Sequence, residues 1–206
     1  MILDGNKISL EIKNEIKELV SKRVNERKKI PHLAAIIVGN DGASLTYVGS
    51  KVRACDYVGF KSTLIRLDDS ISEKLLLDNI NSLNNNNEID GFIVQLPLPK
   101  SINEEKVLLA IDPKKDVDGF HPTNFGRMAL EMESFIPATP YGIIELLERY
   151  NIETSGKNCV VIGRSNIVGR PISILLSQKS GRGNSTVILT HSRTKNLEFF
   201  TKRADI

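Results

Sequence analysis

Short apolar runs alternate with helical patterns through the first half of the chain, and this alternation limits the possible folds most. Leu33 to Val38 is apolar throughout and lies between Pro31 and Gly39, which is typical of a strand covered on both faces. Thr63 to Leu67 and Gly91 to Leu96 are two further strand candidates. Because helical segments separate these runs, the pattern predicts a parallel sheet with helices on its faces.

The helical segments of this half have their own start and stop signals. Apolar residues recur at helical spacing from Ile8 to Val24 in a charged background. A second helix is predicted from about Ser44 to Tyr57, with Gly59 as its C-terminal stop. Ser70 and Glu73 have the spacing of a capping box, which places the start of a third helix beside them.

A second α/β unit is predicted to begin at Thr139, which can cap a helix whose first residue is Pro140. Asn158 to Ile162, a helix from about Ile167 to Gln178, and Thr186 to Thr190 then have the order of a βαβ unit. This order is typical of a dinucleotide-binding domain.

We therefore expect an α/β protein of two domains. Residues 1–138 would form a three-layer α/β domain, and residues 139–206 a Rossmann-type dinucleotide-binding domain. Ala204 to Ile206 resembles the opening of another strand, and a dinucleotide domain normally needs more parallel strands than these. We expect the second domain to be incomplete and the sequence to be a fragment.

Composition excludes several classes of protein. The 28 basic and 25 acidic residues leave a net charge of only +3, which indicates no nucleic-acid partner. With no membrane span or signal-peptide core in the sequence, we expect a cytoplasmic protein without a membrane partner. Cys55 and Cys159 lie in apolar surroundings and are expected to be buried free thiols. The three histidines have no metal-ligand spacing, so no metal site is predicted.

The loop from Gly163 to Pro171 is the candidate phosphate site. Glycine stands at the turn after the strand and again where the helix begins, so backbone N–H groups and the helix dipole would face a phosphate. The match to the usual glycine fingerprint is imperfect because Ser165 occupies the second glycine position, and a βα turn without a ligand is an equal alternative for this stretch alone. The candidate cofactor-binding residues of the loop are Gly163, Arg164, Ser165, Ile167, Val168 and Gly169.

The end of the next strand distinguishes the two nicotinamide cofactors. An NAD site usually has an Asp or Glu there, whereas this chain has His191, Ser192 and Arg193. Together with Arg164, the Ser192 and Arg193 side chains offer donors and positive charge for a 2′-phosphate. Either arginine alone is more often a solvated surface residue, but their coincidence favours NADP over NAD.

On the second predicted helix, Tyr47 and Lys51 are four residues apart and share a face. A lysine at a partly desolvated edge can exchange protons near neutral pH, and a tyrosine beside it can stack on a flat substrate. The common alternative is that both side chains only cover the core with their apolar portions.

Two further polar residues, Gln95 and Asp118, are candidates for the reaction site. Gln95 is a polar residue inside the apolar strand that ends at Leu96 and Pro97, and a buried amide there could hydrogen-bond the Lys51 amine. Asp118 lies in an acidic loop before a glycine and could accept hydrogen bonds from a substrate ring, although turn formation is an equal alternative.

Together these segments closely resemble the bifunctional methylenetetrahydrofolate dehydrogenase and methenyltetrahydrofolate cyclohydrolase family, over nearly the whole chain. The ordered motifs that carry the resemblance are Val38-Gly39 with Ser44, Tyr47 and Lys51, then Gly91 to Pro99, Lys115 to Gly119, Thr139-Pro140 with Gly142, and Gly163 to Pro171. The turn from Ser180 to Asn184 is longer than in many members and is interpreted as a surface variation.

The resemblance implies a role for each candidate residue. Lys51 would be the main proton-transfer residue of the hydrolysis and Gln95 would tune it, while Tyr47 would stack on the folate and Asp118 would anchor the pterin ring. These residues would line one cleft. Arg164 and Ser192 would contact the 2′-phosphate of NADP. The candidate substrate-binding residues are Tyr47, Gln95, Leu96, Pro97 and Asp118.

The implied activity is the NADP-dependent oxidation of 5,10-methylenetetrahydrofolate, followed by hydrolysis of the methenyl product to 10-formyltetrahydrofolate. This activity belongs to one-carbon metabolism and supplies purine biosynthesis. The resemblance also implies a homodimer whose small-molecule partners are tetrahydrofolate derivatives.

Three alternatives remain open. A dehydrogenase without the hydrolysis activity would not need both Lys51 and Gln95. A different two-domain NADP dehydrogenase, acting on an acid or an amino acid, should lack Gln95 and the Asp118 loop. A catalytically silent folate- or nucleotide-binding module would bind the ligands without turnover.

Overall fold

The structure, a computed structural model, describes residues 2–206. Within these residues, the elements in chain order are α1 (Gly5–Asn25), β1 (His32–Val38), α2 (Gly42–Val58), β2 (Lys61–Leu67), α3 (Glu73–Asn84), β3 (Gly91–Val94), α4 (Glu104–Ala110), α5 (Pro122–Ala129), α6 (Ala138–Arg149), β4 (Asn158–Ile162), α7 (Gly169–Ser177), β5 (Thr186–Thr190) and α8 (Leu197–Thr201). The chain divides into two compact units, and each is described by itself. The first unit is Asn6–Val117, and the second combines residues 2–5 with Asp118–Ile206.

The first unit is built on a parallel three-stranded sheet of order β2-β1-β3. The central strand β1 is fully buried from Ala34 to Val38, as the uninterrupted apolar run predicts. The edge strand β2 has no fully buried residue, and its partly buried side chains pack on both faces, Leu64 on one and Ile65 and Leu67 on the other. The predicted parallel sheet is therefore confirmed.

Helices cover both faces of this sheet. On one face, Ile36 and Phe92 pack with Leu76 and Ile80 of α3. On the opposite face, the alternate strand residues Ala35, Ile37 and Ile93 pack with Val48 of α2. The arrangement is helix, sheet, helix, which confirms the three-layer α/β architecture.

Two predicted helix starts in this unit are wrong by a few residues. The N-cap of α3 is Ser72, whose Oγ accepts the Leu75 N–H at 3.2 Å. Ser70 does not cap the helix, because its hydroxyl donates to Asp68 Oδ1 at 2.6 Å. Helix α2 begins at Gly42, ahead of the predicted Ser44, because Asp41 is the capping residue.

The second unit contains the predicted βαβ arrangement. Strands β4 and β5 are parallel and joined through α7, and Ile172, Leu175 and Leu176 of α7 are buried. Beside β4, the Val160 N–H donates to Ile206 O at 2.9 Å and the Asp205 N–H donates to Asn158 O at 2.8 Å. The end of the described chain thus pairs with β4, in line with the strand opening expected there.

Helix boundaries in this unit differ from those predicted. Helix α6 begins at Ala138 after Pro137, which makes no side-chain cap. Thr139 is therefore inside the first turn and is not the N-cap, while Pro140 remains where its missing N–H costs nothing. Helix α7 begins at Gly169 rather than Ile167, because the preceding residues form the turn of the glycine loop.

The segment before α6 packs with the second unit. Met128 of α5 is buried in the same cluster as Ile144 and Leu176, and its carbonyl accepts from Gln178 Nε2 at 2.6 Å. The two compact units divide between Val117 and Asp118, whereas the sequence pattern predicts a domain boundary after residue 138.

Both cysteines are free and buried, as predicted, and burial raises the pKa of the Cys55 and Cys159 thiols. Within residues 2–206, no helix combines the length and the apolar character that crossing a membrane requires.

Candidate active site and nucleotide site

Helix α2 presents Tyr47 and Lys51, and Asp41 determines where this helix starts. Asp41 Oδ1 accepts the Ser44 N–H at 2.8 Å and the Ser44 hydroxyl at 2.7 Å. These hydrogen bonds hold the pKa of the Asp41 carboxyl below its usual value. The helix ends at Gly59, whose φ of 85° is in the left-handed region that glycine adopts without strain.

The two candidate residues of α2 differ in exposure. Tyr47 is 65% exposed, so its ring is open to a flat ligand. Lys51 is half-buried, one turn from Val48, which is buried against the sheet. Lys51 therefore lies at the margin of a packed helix, and its role in proton exchange stays a prediction.

Gln95 follows β3 directly and continues its pairing, since its N–H donates to Ile36 O at 2.9 Å. Strand side chains alternate between faces, and Ile93 lies on the face that α2 covers. Gln95 is two residues further along and so belongs to the face that Val48 of α2 covers. The peptide bond from Leu96 to Pro97 is cis; Leu96 is half-buried and Pro97 is exposed.

The carboxamide of Gln95 is only half satisfied. Its Nε2 donates to Leu96 O at 2.8 Å, while its Oε1 is buried and has no hydrogen-bond partner within the described residues. The hydrogen bond that the sequence analysis expects between Gln95 and the Lys51 amine is therefore not formed, because the amide has turned toward its own backbone. A buried acceptor without a partner is costly and is suited to an incoming donor.

The loop that carries Asp118 is fixed on its N-terminal side. Lys115 Nζ donates to the carbonyls of Leu83 at 2.8 Å, in the last turn of α3, and of Asn86 at 2.7 Å, just after this helix. Asp116 is 2% exposed and forms a parallel bridge with Phe92. Asp118 itself is half-buried and belongs to the second compact unit. That it lines one cleft with Lys51 stays a prediction.

Gly119 closes this loop and cannot be replaced without rearrangement. Its φ is 68°, and a Cβ at this position would lie 2.7 Å from the Ile136 carbonyl carbon and from Pro137 N. The Asp-Gly pair of the sequence thus marks a tight approach of two backbone segments.

The glycine loop of the second unit is tightly folded at both ends. Gly163 has a φ of 122°, and its N–H donates to Thr190 O at 2.9 Å, which joins the loop to the end of β5. A Cβ on Gly169 would lie 2.1 Å from Gly163 O. Only glycine fits where the helix passes this close to the turn.

The donors that this loop offers differ from those expected. The N–H groups of Val168 and Gly169 both point to Ser165 Oγ at 3.2 Å, so the first amides of the helix are already engaged. Within the described part of the chain, no hydrogen-bond partner is found for the backbone N–H groups from residue 164 to residue 167. The open donors therefore lie in the turn before α7. Backbone N–H groups of such a turn are suited to bind an anion.

The three residues assigned to a 2′-phosphate lie in neighbouring loops. Arg164 follows β4 and Ser192 and Arg193 follow β5, and the register of these strands pairs Ile162 with Thr190. All three side chains are exposed. Across residues 2–206, neither arginine forms an ion pair. These features suit a nucleotide whose ribose carries a phosphate.

Sequence reasoning missed the residues that position these groups. Asp41 caps α2, and an Asp-Gly pair ahead of a helical pattern was the available signal. His121 caps α5 by accepting the Thr123 N–H at 3.1 Å on Nδ1, and the proline that follows it was the signal. Among the described residues, no cluster of His, Cys, Asp and Glu could hold a metal ion.

Two family models match the chain in order. Residues 3–118 match the catalytic domain of tetrahydrofolate dehydrogenase/cyclohydrolase, and residues 137–206 match its NAD(P)-binding domain. The chain is also 66% identical over 205 residues to a protein named bifunctional protein FolD from Flavobacterium johnsoniae. That alignment covers 100% of this chain and 70% of the relative.

Solved structures have the same fold. The bifunctional enzyme FolD, methylenetetrahydrofolate dehydrogenase/cyclohydrolase, from Campylobacter jejuni is 43% identical with a TM-score of 0.94, over 100% of this chain and 71% of that one. The Trypanosoma brucei methylenetetrahydrofolate dehydrogenase-cyclohydrolase, solved with NADP cofactor and inhibitor, is 30% identical with a TM-score of 0.92, over 100% of this chain and 69% of that one.

Proposed function

Because this chain belongs to the tetrahydrofolate dehydrogenase/cyclohydrolase family, we propose that it oxidises 5,10-methylenetetrahydrofolate with NADP and hydrolyses the methenyl product to 10-formyltetrahydrofolate. The observation that carries the proposal is the buried Gln95 Oε1, for which no hydrogen-bond partner is found within residues 2–206. Gln95 follows β3 on the sheet face that α2, the helix of Lys51, covers. A buried acceptor without a protein partner is suited to an incoming donor, such as an ammonium group.

The residues of the second unit fit NADP. The open backbone N–H groups of residues 164–167 suit a pyrophosphate, and Gly169 permits the close approach of the helix. Arg164, Ser192 and Arg193 suit the 2′-phosphate, since their side chains are exposed donors. When bound, the nicotinamide ring accepts the hydride that leaves the methylene carbon.

Lys51 is proposed as the proton-transfer residue of the hydrolysis. Water attacks the electrophilic methenyl carbon, and the amine moves protons as the ring opens to the formyl product. Gln95 would accept from the Lys51 ammonium group through its open Oε1 once substrate is present, and so hold the amine in place. Both residues belong to the first compact unit.

The substrate would be held by residues around this pair. The exposed Tyr47 ring would stack on the folate, and Asp118 would accept from the pterin. Leu96 and Pro97 would contact the substrate next to Gln95, since they continue the chain directly from it. These assignments come from the resemblance and agree with the exposure of Tyr47 and Pro97.

The direct test supplies 5,10-methylenetetrahydrofolate and NADP and follows NADPH and the methenyl absorbance together. A second reaction starts from methenyltetrahydrofolate alone. NADPH formation with enzyme-dependent methenyl decay supports both activities. Accumulating methenyl product would reduce the function to a dehydrogenase, and no change in either signal would favour a silent binding module.

Lys51→Ala should reduce the enzyme-dependent hydrolysis by a factor of about 10²–10⁴, the usual contribution of a general acid–base group. NADP binding, measured by calorimetry, should be unchanged. Lys74→Ala is the matched control, because Lys74 is an exposed lysine of α3 that pairs with Asp78. Undiminished hydrolysis in Lys51→Ala would exclude the assigned proton transfer.

Arg164→Ala should weaken the binding of NADP by about tenfold or more and leave the binding of NAD nearly unchanged, because only NADP carries the 2′-phosphate that the guanidinium group would contact. Equilibrium titration with each nucleotide measures this difference. Lys202→Ala, which removes an exposed charge paired with Glu198, serves as the control. An equal loss for both nucleotides would contradict the role of Arg164 in reading the 2′-phosphate.

We further infer that the protein is a cytoplasmic homodimer that acts in one-carbon metabolism. The support is the family resemblance and, for the location, the lack of any suitable membrane-spanning helix within residues 2–206. Sedimentation velocity tests the dimer, and a monomer at micromolar concentration would exclude it. Cell fractionation tests the location.

A further inference from the structure

The turn after β5 is held by three hydrogen bonds, two between its first and last residues and one within it. The His191 N–H donates to Thr194 Oγ1 at 2.8 Å, and the Thr194 N–H donates to His191 O at 2.8 Å. The third bond runs from the Arg193 N–H to His191 Nδ1 at 3.2 Å. The imidazole thus substitutes for a backbone acceptor inside the turn.

This hydrogen bond determines the tautomer of the neutral His191 imidazole. A ring nitrogen that accepts an N–H carries no proton, so the neutral His191 ring has its proton on Nε2. The geometry is that of an Asx turn, in which an Asp or Asn oxygen accepts the N–H two residues on. Histidine performs the same function here with its Nδ1.

The two residues inside the turn depend on this support. Ser192 and Arg193 are both exposed. Among the described residues, the bond to His191 Nδ1 is the one hydrogen bond found for Arg193, and none is found for Ser192. Without the imidazole, the turn would keep only the two hydrogen bonds between His191 and Thr194, and the Arg193 backbone would lose the one bond that holds it.

We propose that His191 is a positioning residue that selects for the 2′-phosphate of the nucleotide by holding Ser192 and Arg193 in a ready conformation. The inference rests on the proposed NADP function. His191 acts through the backbone of Arg193, and it need not touch the nucleotide. Preorganisation raises affinity because the turn does not have to be ordered when the ligand binds.

The effect is specific to one nucleotide. NAD has a hydroxyl group in place of the 2′-phosphate, so it gains little from the side chains of Ser192 and Arg193. Loosening the turn should therefore weaken the binding of NADP and leave the binding of NAD unchanged. A merely structural role of His191 would weaken both nucleotides together.

The test compares His191→Ala with His191→Asn by calorimetric titration with NADP and with NAD. The alanine variant loses the acceptor, and its dissociation constant for NADP should rise about tenfold while that for NAD changes less than about twofold. The asparagine variant restores an acceptor for the Arg193 N–H and should recover most of the NADP affinity.

A second measurement requires no nucleotide. Amide hydrogen exchange at Arg193 should be faster in His191→Ala than in the unaltered chain, and His191→Asn should restore the slow rate. Thermal unfolding of both variants accompanies these measurements and identifies a general loss of structure.

The outcomes separate this inference from the proposed function. If the unaltered chain binds NADP and NAD equally, the assignment of a 2′-phosphate site is wrong. If it prefers NADP and His191→Ala keeps that preference, only the role of His191 is wrong. If His191→Asn fails as fully as His191→Ala, the imidazole itself is needed and the positioning role is overturned.

Discussion

At the scale of single residues, glycines with different surroundings perform different tasks in this chain. Gly169 lies against the backbone of the glycine loop, where a Cβ would come within 2.1 Å of Gly163 O. Gly142 lies inside α6 with nothing within 4 Å of a Cβ position. The first glycine is required by close packing, whereas the second only lowers helix propensity.

Gly169→Ala should lower the free energy of unfolding by about 1–3 kcal/mol, because backbone atoms must move to admit the methyl group. It should also weaken the binding of NADP and of NAD alike, since the glycine loop changes shape. Chemical denaturation and nucleotide titration measure both effects.

Gly142→Ala is the matched control for this substitution. It should raise the free energy of unfolding by up to about 1 kcal/mol, through the better helix propensity of alanine, and leave nucleotide binding unchanged. Unchanged stability and binding in Gly169→Ala would contradict the close approach that the structure shows.

At the scale of elements, the turn from Ser180 to Asn184 is attached to α6 by charge. Arg182 donates to Glu145 Oε1 at 2.6 Å and also pairs with Glu148, and its guanidinium lies 5.9 Å from the Tyr141 ring centre. Burial opposes ionisation of Glu145, but the hydrogen bond and the charge of Arg182 outweigh it and lower the pKa of the Glu145 carboxyl. The turn is thus an ordered part of the second unit.

The coupling between Glu145 and Arg182 should stabilise the fold near neutral pH and disappear in acid. Because the pKa of Glu145 is below its usual 4.5, the contribution is complete above that value and is lost as the pH falls through the lower folded value. A double-mutant cycle with Glu145→Gln and Arg182→Gln should give about 1 kcal/mol or less at pH 7, since Arg182 is partly exposed.

The same cycle for Lys74 and Asp78, an exposed pair on α3, is the control and should give a smaller coupling. A coupling of Glu145 to Arg182 that persists unchanged at pH 2 would show that the interaction does not depend on the ionised carboxyl group.

At the scale of the whole molecule, each compact unit has its own buried core. Ile36, Leu76 and Ile80 are fully buried in the first unit. Cys159 and Leu176 belong to a separate cluster in the second unit. Since each core holds one sheet and its helices together, the stability of each unit depends first on its own apolar contacts.

Leu176→Ala should lower the stability of the second unit by about 2–5 kcal/mol, the usual cost of emptying a core site. Hydrogen exchange resolved by peptide should accelerate in β4 and β5 more than in β1 to β3. Ile80→Ala is the reciprocal variant and should give the opposite pattern. Equal acceleration in both units for both variants would show that they unfold as one cooperative body.

The sequence alone indicated the fold class, the five strands and five of the eight helices described in residues 2–206; α4, α5 and α8 were not predicted. The apolar run at β1 predicts a strand buried on both faces because such burial selects its residue types directly, and the structure agrees. The glycine loop was likewise predicted from the sequence, since the tight turn at Gly163 and the close approach at Gly169 require glycine. The family resemblance follows from the same local motifs.

Tertiary structure decided which group each polar side chain contacts. Ser70 and Ser72 are both residues that can cap a helix. Ser72 caps α3, whereas the Ser70 hydroxyl donates to Asp68. Gln95 turned toward Leu96 O rather than toward Lys51, which no spacing rule could indicate. Hydrogen-bond partners depend on where the folded chain places competing donors and acceptors. Sequence patterns report mainly burial and backbone conformation.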